Sequence, residues 1–189
     1  MPSKVDYRVA VAIALLAGAA VVGRLLPHAP NLALLGTLAF VSGRYWPRAA
    51  SLITLIIVIV SDWLVGFYDW PVMISVWFCY LLTATLGRLA VHQPLRPLAW
   101  RPTLTVVSLT VIGSILFFII TNAAVWAAGW YPLTLAGLMQ SLINGLPFAR
   151  NTLVSDLSYT VISIAIIEGM MAARSSRVSS AIFVSKTSR

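Results

Sequence analysis

The sequence predicts an all-α membrane protein, a bundle of six transmembrane helices in a single integral membrane domain, residues 1–189. Hydrophobic residues make up 60% of the chain and charged residues only 10%, whereas soluble domains carry about 25% charged residues. The mean hydropathy is +0.92. The net charge of +8 does not favour a nucleic-acid partner, because basic residues collect in the cytoplasmic loops of membrane proteins.

Apolar segments recur along the chain at lengths that suit a bilayer, whose hydrocarbon core of about 30 Å needs roughly 20 helical residues. Prolines between the segments mark places where helices begin or end. The second segment is short and is either a tilted span or a re-entrant piece. The predicted helices are about 7–26, 32–46, 48–66, 71–90, 104–128 and 153–173.

The first helix carries Ala10, Ala14 and Gly18 at a spacing of four. Small residues at this spacing let two membrane helices approach closely. The stripe serves either internal packing within this chain or docking of another membrane subunit.

Basic residues set the predicted orientation, since they concentrate on the cytoplasmic side. With six spans and a cytoplasmic N-terminus, the inner side holds eleven of the 13 Lys and Arg, and only Arg24 and Arg150 remain outside. Five spans with an outer N-terminus would give ten and three, so this alternative stays open. Both arrangements place residues 67–70 and 129–152 outside and 88–103 inside.

The outer stretch 129–152 is predicted to be the longest loop. It is apolar, and Asn144-Gly145 favours a turn inside it. Long apolar loops of this kind are usually functional lids or plugs.

Ionisable groups inside lipid cost about 3 kcal/mol each on insertion scales, so each is a candidate site. Asp62 and Asp156 both follow a Val-Ser pair near the outer ends of their helices. Two interpretations are open: Asp62 or Asp156 neutralises Arg150 and helps to dock the outer loop, or one of them contacts a substrate directly. Glu168, near the inner end, is expected to snorkel or to meet a cytoplasmic partner.

Cys79 is the only cysteine and lies in the apolar run ISVWFCYLL. It is eight residues down its helix from Pro71, about 12 Å at 1.5 Å per residue. Such a cysteine is either a small packing residue or a ligand for something that enters the membrane.

Three stretches, PHAPNLALLGTLAFVSGRYWPR, VSDWLVGFYDWPVMISVWFCYLL and FFIITNAAVWAAGWYPLTLAGLMQSLINGLPFARNTLVSDL, resemble the BtuM-like group of bacterial membrane proteins. That group is related to the substrate-binding (S) components of energy-coupling-factor (ECF) transporters and is associated with vitamin B12 uptake. The likeness covers about residues 25–168. Its recurrent pieces are the Pro-Asn loop, the Ser-Asp-Trp helix end, the Thr-Asn pair in the fifth helix and Pro-Phe-x-Arg-Asn-Thr before the last.

The resemblance implies a six-helix bundle of the ECF S-component type in the bacterial inner membrane, with both termini cytoplasmic. It implies a pocket that opens outward and takes up cobalamin. The Ala10, Ala14 and Gly18 stripe would then meet a transmembrane coupling subunit. The candidate substrate-binding residues are His28, Asn31, Asp62, Tyr68, Asp69, Ser75, Cys79, Asn122, Tyr131, Asn144, Arg150 and Asn151.

Given a corrinoid, Cys79 and His28 become candidate axial ligands of its cobalt, because soft thiolates and imidazoles bind such a metal. Cobalamin is then cargo, and the protein needs no cofactor of its own. A strongly donating thiolate weakens the bond to the opposite ligand, so loss of the upper cyanide is a chemically reasonable side activity of Cys79.

Two alternatives remain. The fold could bind another vitamin or a small aromatic compound, or the protein could be a membrane scaffold without transport activity. The sequence shows no metal-binding carboxylate cluster and no nucleophile–base pair at helical spacing, which disfavours a membrane hydrolase or transferase.

Overall fold

The computed structural model describes residues 6–26, 34–90 and 100–187, with side chains throughout except in 100–101 and 174–187. This described part is all-helical, which confirms the predicted all-α class. A π-helical turn, Trp126–Trp130, continues the fifth of six α-helices. The helices are α1 (Tyr7–Leu25), α2 (Leu35–Tyr45), α3 (Ala50–Val65), α4 (Trp70–Leu89), α5 (Trp100–Val125) and α6 (Leu135–Thr187).

Four helices of the described residues are long and apolar enough to cross a bilayer: Tyr7–Leu25, Trp70–Leu89, Pro102–Trp130 and Leu135–Ala173. A fifth, α3, is apolar but has 16 residues. Helices suit this setting because each backbone polar group must be bonded within the protein when no water is present. The chain therefore has the architecture of a multi-pass membrane protein.

The short second segment forms a helix at the centre of the bundle. With 11 residues, α2 is about 16 Å long at 1.5 Å per residue, roughly half of the hydrocarbon thickness. Every residue from Leu35 to Arg44 is buried. Neighbours of α2 include α1, α3, α4 and α6, so α2 organises the packing of the others.

Glycines bring α2 and α4 into close contact. A Cβ on Gly43 would overlap the carbonyl oxygen of Ala84, and a Cβ on Gly87 would overlap that of Phe40. Small residues let membrane helices pack backbone against backbone, where no hydrophobic force drives their association. These two glycines therefore fix the distance between the two helices.

A charged cluster joins the C-terminal end of α2 to α6. Arg44 Nη2 lies 3.2 Å from Glu168 Oε1, and the Tyr45 hydroxyl donates to the same oxygen at 2.9 Å. Arg44 also donates to the carbonyl oxygen of Ala90 at the end of α4. Glu168, which we expect to snorkel or to meet a cytoplasmic partner, is thus bound within the chain by Arg44 and Tyr45.

The prediction of a long loop at 129–152 is wrong. In this stretch, only Gly129, with a left-handed φ of 85°, and residues 131–134 depart from regular helix, and they form a tight connection to α6. The helix α6 begins at Leu135 and runs on through Pro147, so the predicted last helix, 153–173, is only its middle part.

Contacts with α5 explain why the chain does not turn at Asn144-Gly145. Gly145 lies against the side chain of Asn122, and a Cβ there would collide with the amide. The Ser141 hydroxyl donates to the Asn122 carbonyl oxygen at 2.9 Å. These contacts stabilise a continuous helix. Pro147 is tolerated within it, because neighbouring helices commonly let a membrane helix accommodate a proline.

Candidate functional site

A cavity of about 600 Å³ lies at the end of the bundle where α1 and α3 end and α4 begins. We call it the Asp156 cavity, after the carboxyl group in its wall. The first half of α4, the second half of α5 and the first half of α6 form its sides. Pockets of about 300–1,000 Å³ typically hold drug-sized organic ligands.

Aromatic side chains supply much of the cavity wall. The rings of Tyr80 on α4 and Phe117 on α5 contact each other, with centroids 5.4 Å apart. Such surfaces pack well against a flat organic ring. The other aromatic lining residues are Tyr68, Trp130, Tyr131 and Phe148.

Polar groups of the wall come from α5 and α6. Asn122 lines the cavity and donates through Nδ2 to the Phe118 carbonyl oxygen at 2.8 Å. Asn144 donates to the Tyr131 hydroxyl at 3.2 Å. Convergent polar groups of this kind fix a ligand's orientation in a mostly apolar pocket.

Asp156 is a buried carboxyl group in the cavity wall, 9% exposed. Its Oδ2 accepts a hydrogen bond from the Ser114 hydroxyl at 2.8 Å. Its Oδ1 occupies the space that a side chain at Gly36 would fill. The absence of a Cβ at Gly36 therefore lets α2 and α6 pack with the carboxyl group between them.

A second charged group, Arg24, lines the cavity and is already paired. Arg24 Nη1 lies 2.6 Å from Asp62 Oδ1 and 2.6 Å from the Ser61 hydroxyl. Trp77 Nε1 donates to the other Asp62 oxygen at 2.6 Å. Asp62 is fully buried and joins α1, α3 and α4, so its role in this structure is to hold three helices together.

The expected ion pair with Arg150 is therefore not formed. Asp62 pairs with Arg24 instead, and Arg150 is exposed on α6. The reason is tertiary: the folded bundle brings Arg24, at the end of α1, to Asp62.

The mouth of the cavity is closed in part by a contact between the α3–α4 connection and the π-helical turn. Trp130 Nε1 donates to Asp69 Oδ2 at 2.6 Å. Beside it, Tyr68 lines the cavity. Partial burial and, to a smaller extent, the nearby Asp62 carboxylate together raise the pKa of Tyr68 to about 12, although Arg24 partly opposes them. Its phenol therefore stays neutral and can donate a hydrogen bond.

The sequence-predicted site residues fall into three groups. Tyr68, Asn122, Tyr131 and Asn144 line the cavity. Asp62 and Asp69 bind lining residues from behind or beside the wall. His28 and Asn31 lie outside the described residues.

The remaining predicted residues do not line the cavity. Ser75 donates its hydroxyl to the Val72 carbonyl oxygen at 2.6 Å, Asn151 is half-buried on α6, and Arg150 is exposed. Cys79 is 2% exposed. It lies behind the wall, on the same helix as the lining residues Val76, Tyr80 and Thr83.

The described residues include no group of three or more His, Cys, Asp or Glu that could hold a metal ion. In the arrangement seen, Cys79 is packed in the protein, and a cobalt ligand role would need its thiol to turn toward the cavity.

Sequence reasoning left several lining residues out of the predicted site. The sequence prediction names Asp156 only as an alternative to Asp62, and it does not include Arg24, Tyr80 or Phe117 among the site residues. A helical spacing could have pointed to them, because side chains three or four apart share one face of a helix. The lining positions 72, 76, 80 and 83 of α4 and 141, 145, 148, 152 and 156 of α6 follow this spacing.

The chain belongs to a family of unknown function, DUF6580, which matches residues 3–180. No curated protein and no solved structure matches it.

Proposed function

We propose that this protein is a membrane transport protein that binds its substrate in the Asp156 cavity and delivers it across the bilayer. The observation behind the proposal is the cavity itself. It is large enough for an organic ligand, is mostly apolar, and carries a few convergent polar groups, as ligand sites do. A membrane scaffold has no need of such a space inside its bundle.

The proposed orientation makes the cavity accessible from outside. The basic residues favour cytoplasmic termini, and six spans then place the 66–69 and 131–134 connections on the outer side of a bacterial inner membrane. The substrate would enter past Asp69 and Trp130. Release would occur at the other end, where Arg44 and Glu168 now join α2 to α6.

Cobalamin is the substrate that we propose first, on the resemblance to the BtuM-like group. Cys79 lies one helical turn from the lining residues Val76 and Thr83, so a rotation of α4 would bring its thiol to the cavity. A corrinoid is larger than the ligands that a 600 Å³ pocket usually holds. Binding would therefore require the mouth at Asp69 and Trp130 to open.

A smaller vitamin or aromatic compound is the second candidate, and the cavity volume favours it. The rings of Tyr80 and Phe117, tilted by 44° to each other, offer two aromatic faces, and Tyr131 and Asn144 offer polar groups. Such a ligand would fit without opening the mouth.

One purification separates the two candidates. Protein isolated from cells supplied with cobalamin should be red, contain cobalt by elemental analysis and show a corrinoid absorption spectrum. The Cys79→Ala variant should bind cobalamin with a different spectrum if the thiolate is an axial ligand. A colourless protein without cobalt excludes cobalamin, and mass spectrometry of the co-purified compounds would then identify the smaller ligand.

The small-residue stripe on α1 is the proposed docking site for a coupling subunit. The buried face of α1 is formed by Val9, Ile13, Ala17 and Ala20. Ala14 and Gly18 are exposed, and a Cβ added to Gly18 meets no atom within 4 Å. An Ala14→Trp substitution should leave ligand binding intact and abolish uptake if a subunit docks here, whereas unchanged uptake would refute docking at this stripe.

A further inference from the structure

Asp156 is a carboxyl group for which the described part of the chain supplies one neutral donor and no cation. Ser114 gives it a hydroxyl hydrogen bond at 2.8 Å. A carboxylate can accept about four hydrogen bonds, and burial without partners is costly. Next to its Oδ1 lies the bare backbone of Gly36.

Among the described residues, the one cation that lines the cavity is Arg24, and it already pairs with Asp62. Arg24 is bound to Asp62 Oδ1 and to the Ser61 hydroxyl through the same nitrogen, both at 2.6 Å. Asp62 is therefore neutralised by Arg24, and among the described residues no cation lies beside the Asp156 carboxyl group. A ligand can supply a positively charged or N–H donor only from inside the cavity, since Asp156 lines the wall there.

Two aromatic rings share the cavity with this acidic group. Asp156, Tyr80 and Phe117 all line the same cavity, and the two rings are in contact. The combination suits a flat ring that carries a nitrogen donor, with the ring against the face of Tyr80 or of Phe117 and the nitrogen toward the carboxyl group of Asp156. Hydrogen bonds from charged nitrogen to carboxylate are roughly twice as strong as neutral ones.

We infer that Asp156 selects the ligand by accepting hydrogen bonds from an amine, amidine or carboxamide nitrogen attached to a ring. The inference rests on the proposed function, because it presumes that the Asp156 cavity is the ligand site. It narrows the ligand class for either candidate: the corrin ring carries carboxamides at its rim, and a smaller vitamin would need an amino or amidine group.

Three probes of similar size and different charge test this inference without knowledge of the natural ligand. Benzamidine, benzyl alcohol and benzoate share one aromatic ring and differ in the group that would face Asp156. Binding to the purified full-length protein in nanodiscs is measured at pH 7 by saturation-transfer NMR. The wild type should bind benzamidine most tightly and benzoate least.

The Asp156→Asn variant has nearly the same shape but no charge. It should bind benzamidine about tenfold more weakly or worse, because a hydrogen bond to a charged group contributes roughly 1.5–3 kcal/mol, and about 1.4 kcal/mol corresponds to tenfold. Its affinity for benzyl alcohol should stay within about twofold. Asp6→Asn is the matched control, because Asp6 caps α1 through the Arg8 amide and lies at the opposite end of α1 from Arg24.

Ser114→Ala provides a second variant in case Asp156→Asn fails to fold. It removes the neutral donor and keeps the carboxylate, so the preference for benzamidine should persist. Equal binding of benzamidine to wild type and Asp156→Asn, or an equal loss in Asp6→Asn, would overturn the inference and leave the cavity as a ligand site. Binding of none of the three probes would overturn the proposed function, and the inference with it.

Discussion

The buried pair of Arg24 and Asp62 is open to a direct thermodynamic test. Replacing Arg24 by methionine leaves the Asp62 carboxylate, which is fully buried, with the Trp77 indole as its remaining strong donor at 2.6 Å. Removing one partner of a buried ion pair typically costs about 3–5 kcal/mol. The Arg24 side chain is 18% exposed, so we expect a loss near the lower end, about 3 kcal/mol in the free energy of unfolding.

The double variant Arg24→Met, Asp62→Asn completes a thermodynamic cycle. Asp62→Asn alone should cost less, about 1–3 kcal/mol, because the guanidinium of Arg24 can still reach the cavity and its water. With both charges gone, no unpaired charge remains buried. The double variant should therefore be more stable than the sum of the single losses predicts, by about 1–3 kcal/mol.

Equilibrium unfolding in mixed micelles, followed by tryptophan fluorescence and circular dichroism, measures each free energy. Single losses that add to within about 0.5 kcal/mol would show that the two charges do not interact, and the reasoning would fail. If Asp62→Asn leaves the stability unchanged but abolishes ligand binding, Asp62 is a substrate contact rather than a structural residue.

Three further predictions address packing, topology and the cavity mouth. Gly87→Ala should destabilise the protein by about 1–3 kcal/mol, since its Cβ meets the α2 backbone. The Cβ of Gly18→Ala meets no atom within 4 Å, so this variant should be as stable as the wild type or up to about 1 kcal/mol more stable. Equal effects of the two substitutions on thermal stability would refute the packing argument. In a cysteine-free background, cysteine in place of Leu133, 67% exposed, should react with an impermeant thiol reagent added to spheroplasts, while cysteine at the exposed position Arg48 should react only after lysis; the reverse pattern inverts the topology. In a pH titration followed by tyrosinate absorbance, the wild type should show a step near pH 12 that is missing in Tyr68→Phe, because burial keeps this phenol neutral at pH 10. If the missing step lies at pH 10 instead, the cavity mouth is open to water.

Local pattern was enough to locate most of the helices. The predicted 7–26 and 71–90 agree with α1 and α4 (Tyr7–Leu25 and Trp70–Leu89) to within one residue. Long apolar runs leave the chain little choice, because a backbone in lipid must bond internally. Composition alone therefore determined the all-α class and the membrane setting.

Site residues were harder to predict, since the sequence does not say which helix faces meet. Asn122 and Tyr131 were expected at the pocket and do line it. Cys79 was expected there too, but packing places it behind the wall, 2% exposed. Cys79 is three residues from Val76 and four from Thr83, so helical spacing places it beside these lining residues. Only the packing of the neighbouring helices decides that its side chain is covered.

Only the tertiary structure decided the conformation of residues 129–152 and the partners of the charged residues near them. Asn144-Gly145 and Pro147 indicate a loop by local rules, yet the close contact of Gly145 with Asn122 and the bond from Ser141 favour a continuous α6. The partner of Asp62 also depends on which helix ends come together in space. The sequence therefore determined that the helices suit a membrane. The packing of these helices against one another determined which groups the few polar side chains contact.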